Sequence, residues 1–169
     1  ATRRRNTRRV TQLQQEQRRA EGTRDERRMD AIRTYAQIAQ SFPQYQKMDE
    51  VLFYLGFALE EMQQYDRARQ VYQRLIKGYQ TSRYIPNAYL SFAEYYFQQG
   101  DMEAALRFYQ KVSEYPASQV FGYSIYKQAW CYYNLQQFRE ALEQFVKTID
   151  FAREHPDARD AQQLARQAR

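Results

Sequence analysis

The chain has 169 residues, 43% of them apolar, which is enough to bury a sizeable core in one domain or a short repeat array. Aromatic residues are dense, whereas five glycines and four prolines are too few for a turn-rich all-β fold. A mean hydropathy of −0.94, without an apolar run of about 18 residues, excludes a membrane-spanning helix. A single cysteine, Cys131, and a single histidine, His155, exclude an intramolecular disulfide, a histidine metal site and a charge-relay pair.

The net charge of +6 belongs to the first 28 residues. They contain ten arginines and four acidic residues, whereas residues 29–169 balance 16 basic against 16 acidic side chains. No apolar segment follows the opening arginines, so no signal peptide is visible and the compartment stays open. This arm has few apolar residues, but its glutamine, glutamate and arginine favour a helix once one is nucleated. We expect disorder up to about Thr11 and helix beyond it.

Three interpretations of the arm compete. It is a solvated linker or helix extension, an electrostatic contact to anionic lipid, nucleic acid or an acidic protein, or a coiled coil. The coiled coil is the weakest because Val10, Leu13 and Ala20 are followed by Arg24 and Arg27 instead of further apolar heptad positions. The side chains predicted to meet an anionic partner are Arg3, Arg4, Arg5, Arg8, Arg9, Arg18 and Arg19.

A repeat of 36 to 37 residues runs through the rest of the chain. The alanines Ala68, Ala105 and Ala141 lie 37 and 36 residues apart, and an aromatic residue follows each of them four positions later. A further step of 37 residues back reaches Ala31, again with an aromatic residue, Tyr35, four positions on. Four units therefore share one register, and self-similarity at such a period is typical of solenoid architectures.

Each of the last three units has the pattern of a helical hairpin. An apolar stripe with helical spacing precedes each alanine, and it contains a small residue, Gly56, Ala93 or Ala129, that allows close approach of a second helix. Short polar breaks rich in glutamine separate the two helices of a unit. The four prolines fall between units, where they end a helix or open the next one without loss of a needed donor.

These features resemble the tetratricopeptide repeat, whose pattern is W-x2-L-G-x2-Y, then A-x3-F, then P, with a period of 34 residues. The resemblance covers about residues 30–157. It implies an all-α fold, a right-handed α-solenoid of stacked antiparallel helical hairpins, with the basic arm as a helical or disordered N-terminal addition. The period is longer than the family's, and Leu52, Tyr89 and Ile125 replace the family's tryptophan. Longer turns are expected to absorb the extra residues.

We divide the chain into three parts on this pattern. Residues 1–28 are the arm, disordered and then helical. Residues 29–157 hold about three full units, preceded by the second helix of a first unit. Residues 158–169 are the start of a further helix with Ala161 and Leu164 on one face, and we expect the array to continue beyond it.

A narrower resemblance concerns the connections between units. The phrases Ser-Phe-Pro at 41–43 and Glu-Tyr-Pro-Ala-Ser at 114–118 are similar to repeats in bacterial cell-envelope proteins, such as the Tol-Pal coordinator and outer-membrane assembly lipoproteins. This resemblance favours a periplasmic or outer-membrane-associated protein over a cytoplasmic one.

The resemblance also implies a binding surface. In this family the first helices line a concave face that binds extended peptides or partner helices. Helical positions beside the core stripe place an aromatic and mildly acidic groove on that face. Its predicted residues are Phe53, Phe57, Glu60, Glu61, Leu90, Glu94, Phe97, Gln98, Tyr123, Tyr126, Trp130, Tyr133 and Asn134.

Such a groove suits a ligand with apolar or aromatic anchors and one or two basic residues, since a few large side chains usually carry most of an interface's energy. The alternative is that these aromatic side chains pack against the next unit. Trp130 is the strongest groove candidate because it lies one position from the expected core alanine, Ala129. At that position it should be partly exposed unless a fifth unit covers it. Family members that bind the C-terminal carboxylate of a chaperone use basic residues and asparagine on the first helices. In this chain only Lys127 could bind such a carboxylate, so a co-chaperone of that kind is disfavoured.

Nothing in the sequence indicates catalysis. There is no glycine-rich phosphate loop and no CxxC motif, acidic pairs such as Glu140 and Glu143 are typical of solvated helices, and Cys131 is predicted to be a buried apolar thiol. We expect a non-enzymatic scaffold, without metal or cofactor, that binds a protein or peptide partner within a multi-protein complex. Two alternatives stay open: a tether to anionic lipid or nucleic acid through the arm, and self-association through exposed end units.

Overall fold

All regular secondary structure in the described part of the chain is α-helical, without a strand. The structure is a computed structural model that describes the backbone of residues 2–158 and 160–168, and the side chains of Gln15, residues 19–158 and residues 160–168. The helices are α1 (Thr2–Ser41), α2 (Met48–Glu61), α3 (Tyr65–Gly78), α4 (Ile85–Gln98), α5 (Met102–Ser113), α6 (Phe121–Asn134), α7 (Phe138–Glu154) and α8 (Ala161–Gln167).

The predicted fold class, an all-α solenoid of stacked antiparallel hairpins, is confirmed. The chain forms two compact units, residues 1–74 and residues 75–169, and the boundary falls within α3. In the first unit α1 packs on α2. In the second, α4 pairs with α5 and α6 with α7, while α5 packs on α6 and α7 on α8. None of the described helices is both long and apolar enough to cross a membrane.

The alanines of the repeat lie in the core, as their register predicts. Ala68, Ala105 and Ala141 are almost completely buried, and so are Tyr72 and Tyr109, two of the aromatic residues that follow them by one helical turn. Residues four apart lie on the same face of a helix, so each alanine and its aromatic partner face the first helix of their own hairpin.

All three hairpin turns have the same construction. A single residue with positive φ ends the first helix: Gln63 (58°), Gly100 (79°) and Gln136 (62°). In each turn the next backbone N–H donates to a carbonyl five residues earlier, which is the hydrogen bond of a Schellman motif. These bonds run from Gln64 to Leu59 (2.8 Å), from Asp101 to Tyr96 (3.0 Å) and from Gln137 to Tyr132 (2.9 Å).

The connections between hairpins explain the long period. They span residues 42–47, 79–84, 114–120 and 155–160, whereas the turns inside hairpins span three residues each. Each connection contains two successive turns closed by backbone hydrogen bonds three residues apart, for example Ser82 to Tyr79 (2.9 Å) and Ile85 to Ser82 (3.3 Å). The residues beyond the family's period therefore belong to the inter-hairpin turns.

The arm differs from its sequence prediction. Disorder is expected up to about Thr11, but α1 is helical from Thr2. Buried Ile32 and Ala39 anchor the far end of α1, and the sequence before them, rich in arginine, glutamine and glutamate, propagates the helix. Of the predicted anionic-partner residues, Arg19 is exposed; the others lie outside the described side chains. These are Arg3, Arg4, Arg5, Arg8, Arg9 and Arg18.

Candidate functional site

In the second unit the first helices of successive hairpins lie side by side. Helix α6 contacts α4 on one side and α8 on the other. Because these helices alternate with α5 and α7 along the chain, one face of this unit is built from α4, α6 and α8. Most of the groove residues predicted from the sequence belong to α4 and α6.

A cavity of about 570 Å³ opens on this face. It receives an aromatic wall from α4 and α6 and a more polar wall from α8 and the residue before it. Its lining residues are Phe97, Tyr123, Tyr126, Lys127, Trp130, Asp160, Gln163, Leu164 and Gln167. Four of the residues predicted for the groove, Phe97, Tyr123, Tyr126 and Trp130, are thus brought together around one opening.

The indole of Trp130 is held by other aromatic rings. Its centroid lies 5.6 Å from that of Phe145, 5.7 Å from Tyr133 and 6.3 Å from Tyr126, and all three pairs meet edge to face. Such contacts fix the ring in one orientation. Trp130 is half-buried and lines the cavity together with Leu164 of α8, so part of the indole faces the opening.

Lys127 lies among aromatic rings. Its Nζ is 3.4 Å from the Phe97 ring centroid, 5.8 Å from that of Tyr109 and 5.9 Å from that of Tyr123, distances at which a cation is attracted to the ring face. The same Nζ lies 3.6 Å from a carboxylate oxygen of Glu94, and only 12% of the lysine side chain is exposed. Lys127 is therefore already engaged by the protein.

Glu94 links this cluster to the core. Its Oε1 accepts a 2.5 Å hydrogen bond from the Tyr109 hydroxyl, and the ring of Tyr109 is buried under α4. The carboxylate therefore has a hydroxyl and an ammonium group as partners. The acidity that the sequence suggests for this part of the groove is offset inside the protein by Lys127.

Burial also shifts the pKa values of tyrosine and cysteine side chains in and around the cavity. It raises the pKa of Tyr109 and Tyr123, and the nearby Glu94 carboxylate raises both further. Burial raises the pKa of the Cys131 thiol to about 12, so this cysteine is a neutral core residue, as its sequence context predicts. In the first unit burial likewise raises the pKa of Tyr72, whose hydroxyl donates to Glu60 (2.9 Å).

Stability should consequently fall at alkaline pH. Because the folded pKa of Tyr72, Tyr109 and Tyr123 lies above the ordinary value of 10.0, their contribution is complete below that pH and is lost as the pH rises toward the folded values. Each tyrosine that ionises only on unfolding lowers the free energy of unfolding by about 1.4 kcal/mol per pH unit.

Urea unfolding measured from pH 8 to pH 11.5 checks this expectation. Tyr72→Phe should reduce the alkaline slope relative to the parent protein. A free energy of unfolding that stays constant above pH 10 would contradict the prediction.

The remaining groove residues of the second unit lie away from the cavity. Leu90 packs against the core cluster formed by Ala93, Ala105, Tyr109 and Cys131. Gln98 and Asn134 are exposed at the ends of α4 and α6, and the Asn134 amide donates to the Trp130 carbonyl (2.7 Å). Tyr133 is half exposed and packs on Phe138 as well as on Trp130.

The groove residues of the first unit have separate surroundings. Phe53 is half-buried against Tyr72, with ring centroids 6.3 Å apart. Glu60 accepts the Tyr72 hydroxyl, and Glu61 forms an ion pair with Arg28 of α1. Phe57 is 51% exposed.

Five cavity residues are absent from the predicted groove: Lys127, Asp160, Gln163, Leu164 and Gln167. The sequence spacing does indicate Lys127 as a groove residue, because it lies four positions after Tyr123 and three before Trp130, on the same helix face. The α8 residues could have been found by extending the 36-residue register into residues 158–169, because that segment has the pattern of a first helix.

Three segments of the chain match models of the tetratricopeptide repeat: residues 50–82, 86–118 and 123–158. They correspond to α2–α3, α4–α5 and α6–α7 and cover more than half of the chain. The chain therefore belongs to the tetratricopeptide repeat family. No curated protein matches the sequence.

Proposed function

We propose that this protein is a non-enzymatic scaffold that binds a segment of a partner protein across α4, α6 and α8. Tetratricopeptide repeats are protein-interaction modules, and this general role follows from the family. The observation that carries the specific proposal is the cavity beside Trp130. It is an aromatic-walled opening on the face built from first helices, with the tryptophan held in place by three neighbouring rings.

The cavity suits one large apolar or aromatic anchor. Its aromatic wall comes from Phe97, Tyr123, Tyr126 and Trp130, and aromatic side chains give much contact area for little loss of conformational entropy. The Lys127 charge already has Glu94 beside it, so an anionic ligand gains little there. We therefore favour a partner segment with an aromatic or leucine anchor flanked by polar residues.

The single tryptophan of the chain provides a direct test, because its fluorescence reports on the cavity itself. Peptides selected from a random phage-displayed library should carry an aromatic or leucine anchor and should shift the Trp130 emission. Trp130→Ala, measured by calorimetry, should weaken these peptides at least about tenfold, as expected for a central anchor site.

The matched control is Leu142→Ala, which removes an exposed apolar side chain from α7. It should leave peptide affinity unchanged, and circular dichroism should show nearly equal helical content for both variants. Selected peptides that bind the Trp130→Ala variant as tightly as the parent protein would place binding outside the cavity.

The tether alternative predicts a different salt response. Binding through the arm releases counterions, so affinity should fall about a hundredfold or more between 50 and 500 mM salt, whereas cavity binding should change by less than about threefold. Replacing Arg3, Arg4, Arg5, Arg8 and Arg9 with glutamine should abolish binding only if the arm is the binding element.

Self-association would appear in light scattering as a mass that rises with concentration. A bacterial cell-envelope location, suggested by the phrases at 41–43 and 114–118, stays a prediction.

A further inference from the structure

A second apolar groove lies in the first unit, between α1 and α2. It encloses a cavity of about 320 Å³ and combines aromatic rings from both helices with arginine side chains from α1. The residues that matter here are Arg24, Arg27, Arg28, Tyr35, Tyr54 and Phe57. None of them lines the cavity beside Trp130.

The repeat register shows what normally occupies this position. Tyr35 is equivalent to Tyr72 and Tyr109, which lie one and two repeats further along the chain. Those two tyrosines are 1% and 0% exposed, because the first helix of their own hairpin covers them. Tyr35 is only half-buried, and its ring stacks on Tyr54 at 6.0 Å.

Nothing in the described chain covers Tyr35 in this way. Helix α1 runs without interruption from Thr2 to Ser41, so among the described residues no helix precedes its Ala31–Ser41 segment to complete a hairpin. Phe57, on the neighbouring α2, lines the same groove and is 51% exposed. The groove is therefore shaped by the repeat to receive an α-helix.

The two hairpins that carry a tyrosine at this register position, α2–α3 and α4–α5, show what chemistry such a helix needs. It must approach closely: Gly56 of α2 lies so near Tyr72 that an added Cβ would be 2.5 Å from the ring. It must also present a carboxylate, since the Tyr72 hydroxyl donates to Glu60 (2.9 Å) and the Tyr109 hydroxyl to Glu94 (2.5 Å). A helix over Tyr35 would place a carboxylate within reach of the Tyr35 hydroxyl in the same way.

The charge of the groove favours the same kind of helix. Arg28 pairs with Glu61 and with Asp25 (3.2 Å). Neither Arg24 nor Arg27 forms an ion pair with any residue that the structure describes. Acidic side chains flanking the apolar face of an incoming helix would meet these two guanidinium groups.

A second copy of this chain fits the groove poorly. Helix α8 carries Arg166 and no acidic residue, and α1 carries many arginines, so either would bring like charge to Arg24 and Arg27. Helices α2 and α4 are already packed in their own hairpins. Charge and availability therefore disfavour a second copy, and charge complementarity favours an acidic helix.

We propose that the groove between α1 and α2 binds an acidic amphipathic helix of a partner protein, which takes the place of the first helix of the first hairpin. The incoming helix sets a small residue and a carboxylate over Tyr35 and covers Tyr54 and Phe57. Its acidic flank faces Arg24 and Arg27. This site is independent of the cavity beside Trp130.

The probe is a fluorescein-labelled peptide with the sequence of residues 48–61, the helix that covers Tyr72. It contains Gly56 and four acidic residues, Asp49, Glu50, Glu60 and Glu61. A control peptide has lysine at those four positions. Fluorescence anisotropy with the full chain should show the acidic peptide binding at least about tenfold tighter, consistent with close charge pairs at an interface.

Three variants of the full chain locate the binding. The double variant Arg24→Glu/Arg27→Glu should invert the preference between the two peptides. Phe57→Ala should weaken the acidic peptide, and Trp130→Ala should leave its affinity unchanged, which separates this site from the proposed partner groove. These arginines and Phe57 are exposed enough to change without disrupting the core, and circular dichroism of each variant checks this.

Several outcomes overturn the proposal. They are failure of the acidic peptide to bind, equal affinity for the two peptides, or an unchanged preference in the double-glutamate variant. Loss of binding when Arg3, Arg4 and Arg5 become glutamine, with no effect of Phe57→Ala, would show that the peptide binds to the arm instead.

Discussion

Replacing Glu94 with leucine should lower the free energy of unfolding by about 3 kcal/mol, which is the cost expected when one partner of a buried ion pair is removed. The change leaves the Lys127 ammonium group, on a side chain that is 12% exposed, without its carboxylate 3.6 Å away. It also removes the acceptor of the buried Tyr109 hydroxyl. A buried donor without an acceptor adds its own desolvation cost. Urea unfolding followed by circular dichroism measures the loss.

A double-mutant cycle separates the ion pair from general damage to α4. Glu94→Leu combined with Lys127→Met removes both charges and should recover a large part of the loss, because the unpaired ammonium group is gone. Glu94→Gln, which keeps an acceptor for Tyr109, should cost less than leucine. Arg139→Ala, which breaks the exposed pair with Glu143, should change stability by less than about 0.5 kcal/mol. If Glu94→Leu and Glu94→Leu/Lys127→Met lose the same free energy of unfolding, the unpaired Lys127 charge does not explain the loss.

Gly56→Ala should destabilise the first unit by about 1–3 kcal/mol, the usual cost of overpacking a core, despite the better helix propensity of alanine. The new Cβ would lie 2.5 Å from the ring of Tyr72, which is 1% exposed. The ring is enclosed, so either it or the backbone of α2 must move. Thermal and urea unfolding report the change.

The control is Gly22→Ala in α1, where an added Cβ meets nothing within 4 Å. This change should leave stability unchanged or raise it by up to about 1 kcal/mol, since alanine is the better helix former. Replacing the tyrosine ring with a smaller side chain, as in Tyr72→Leu, should relieve the clash. Gly56→Ala should therefore lower the free energy of unfolding less in the Tyr72→Leu background than in the parent protein. A Gly56→Ala variant as stable as the parent would mean that α2 and α3 are less closely packed than the structure shows.

The sequence predicts the hairpin register well because that register is local. An alanine and an aromatic residue four positions apart face the same side of a helix whatever surrounds them, so Ala68 with Tyr72 and Ala105 with Tyr109 could be placed in the core without a structure. The glutamine-rich turns could be predicted equally well, because a short polar break between two helical patterns has few structural interpretations other than a turn.

The groove was only partly predictable because it depends on contacts between units. The sequence of α6 does not reveal that Lys127 is engaged by Glu94 and Phe97, which come from the preceding hairpin. The contribution of Leu164 to the cavity likewise depends on how α8 packs beside α6. Side chains predicted as one surface therefore separate into cavity walls, core contacts such as Leu90, and exposed helix ends.

The hairpin turns also bear on how this array can change. Gly100 takes its positive φ without strain, whereas Gln63 and Gln136 hold φ values of 58° and 62° with a Cβ, at a cost of about 1 kcal/mol each. Both glutamine side chains are exposed, so their identity matters little to the core. Glycine at these two positions should therefore raise the free energy of unfolding. That gain would offset destabilising substitutions that evolution or an engineer makes in the recognition surface.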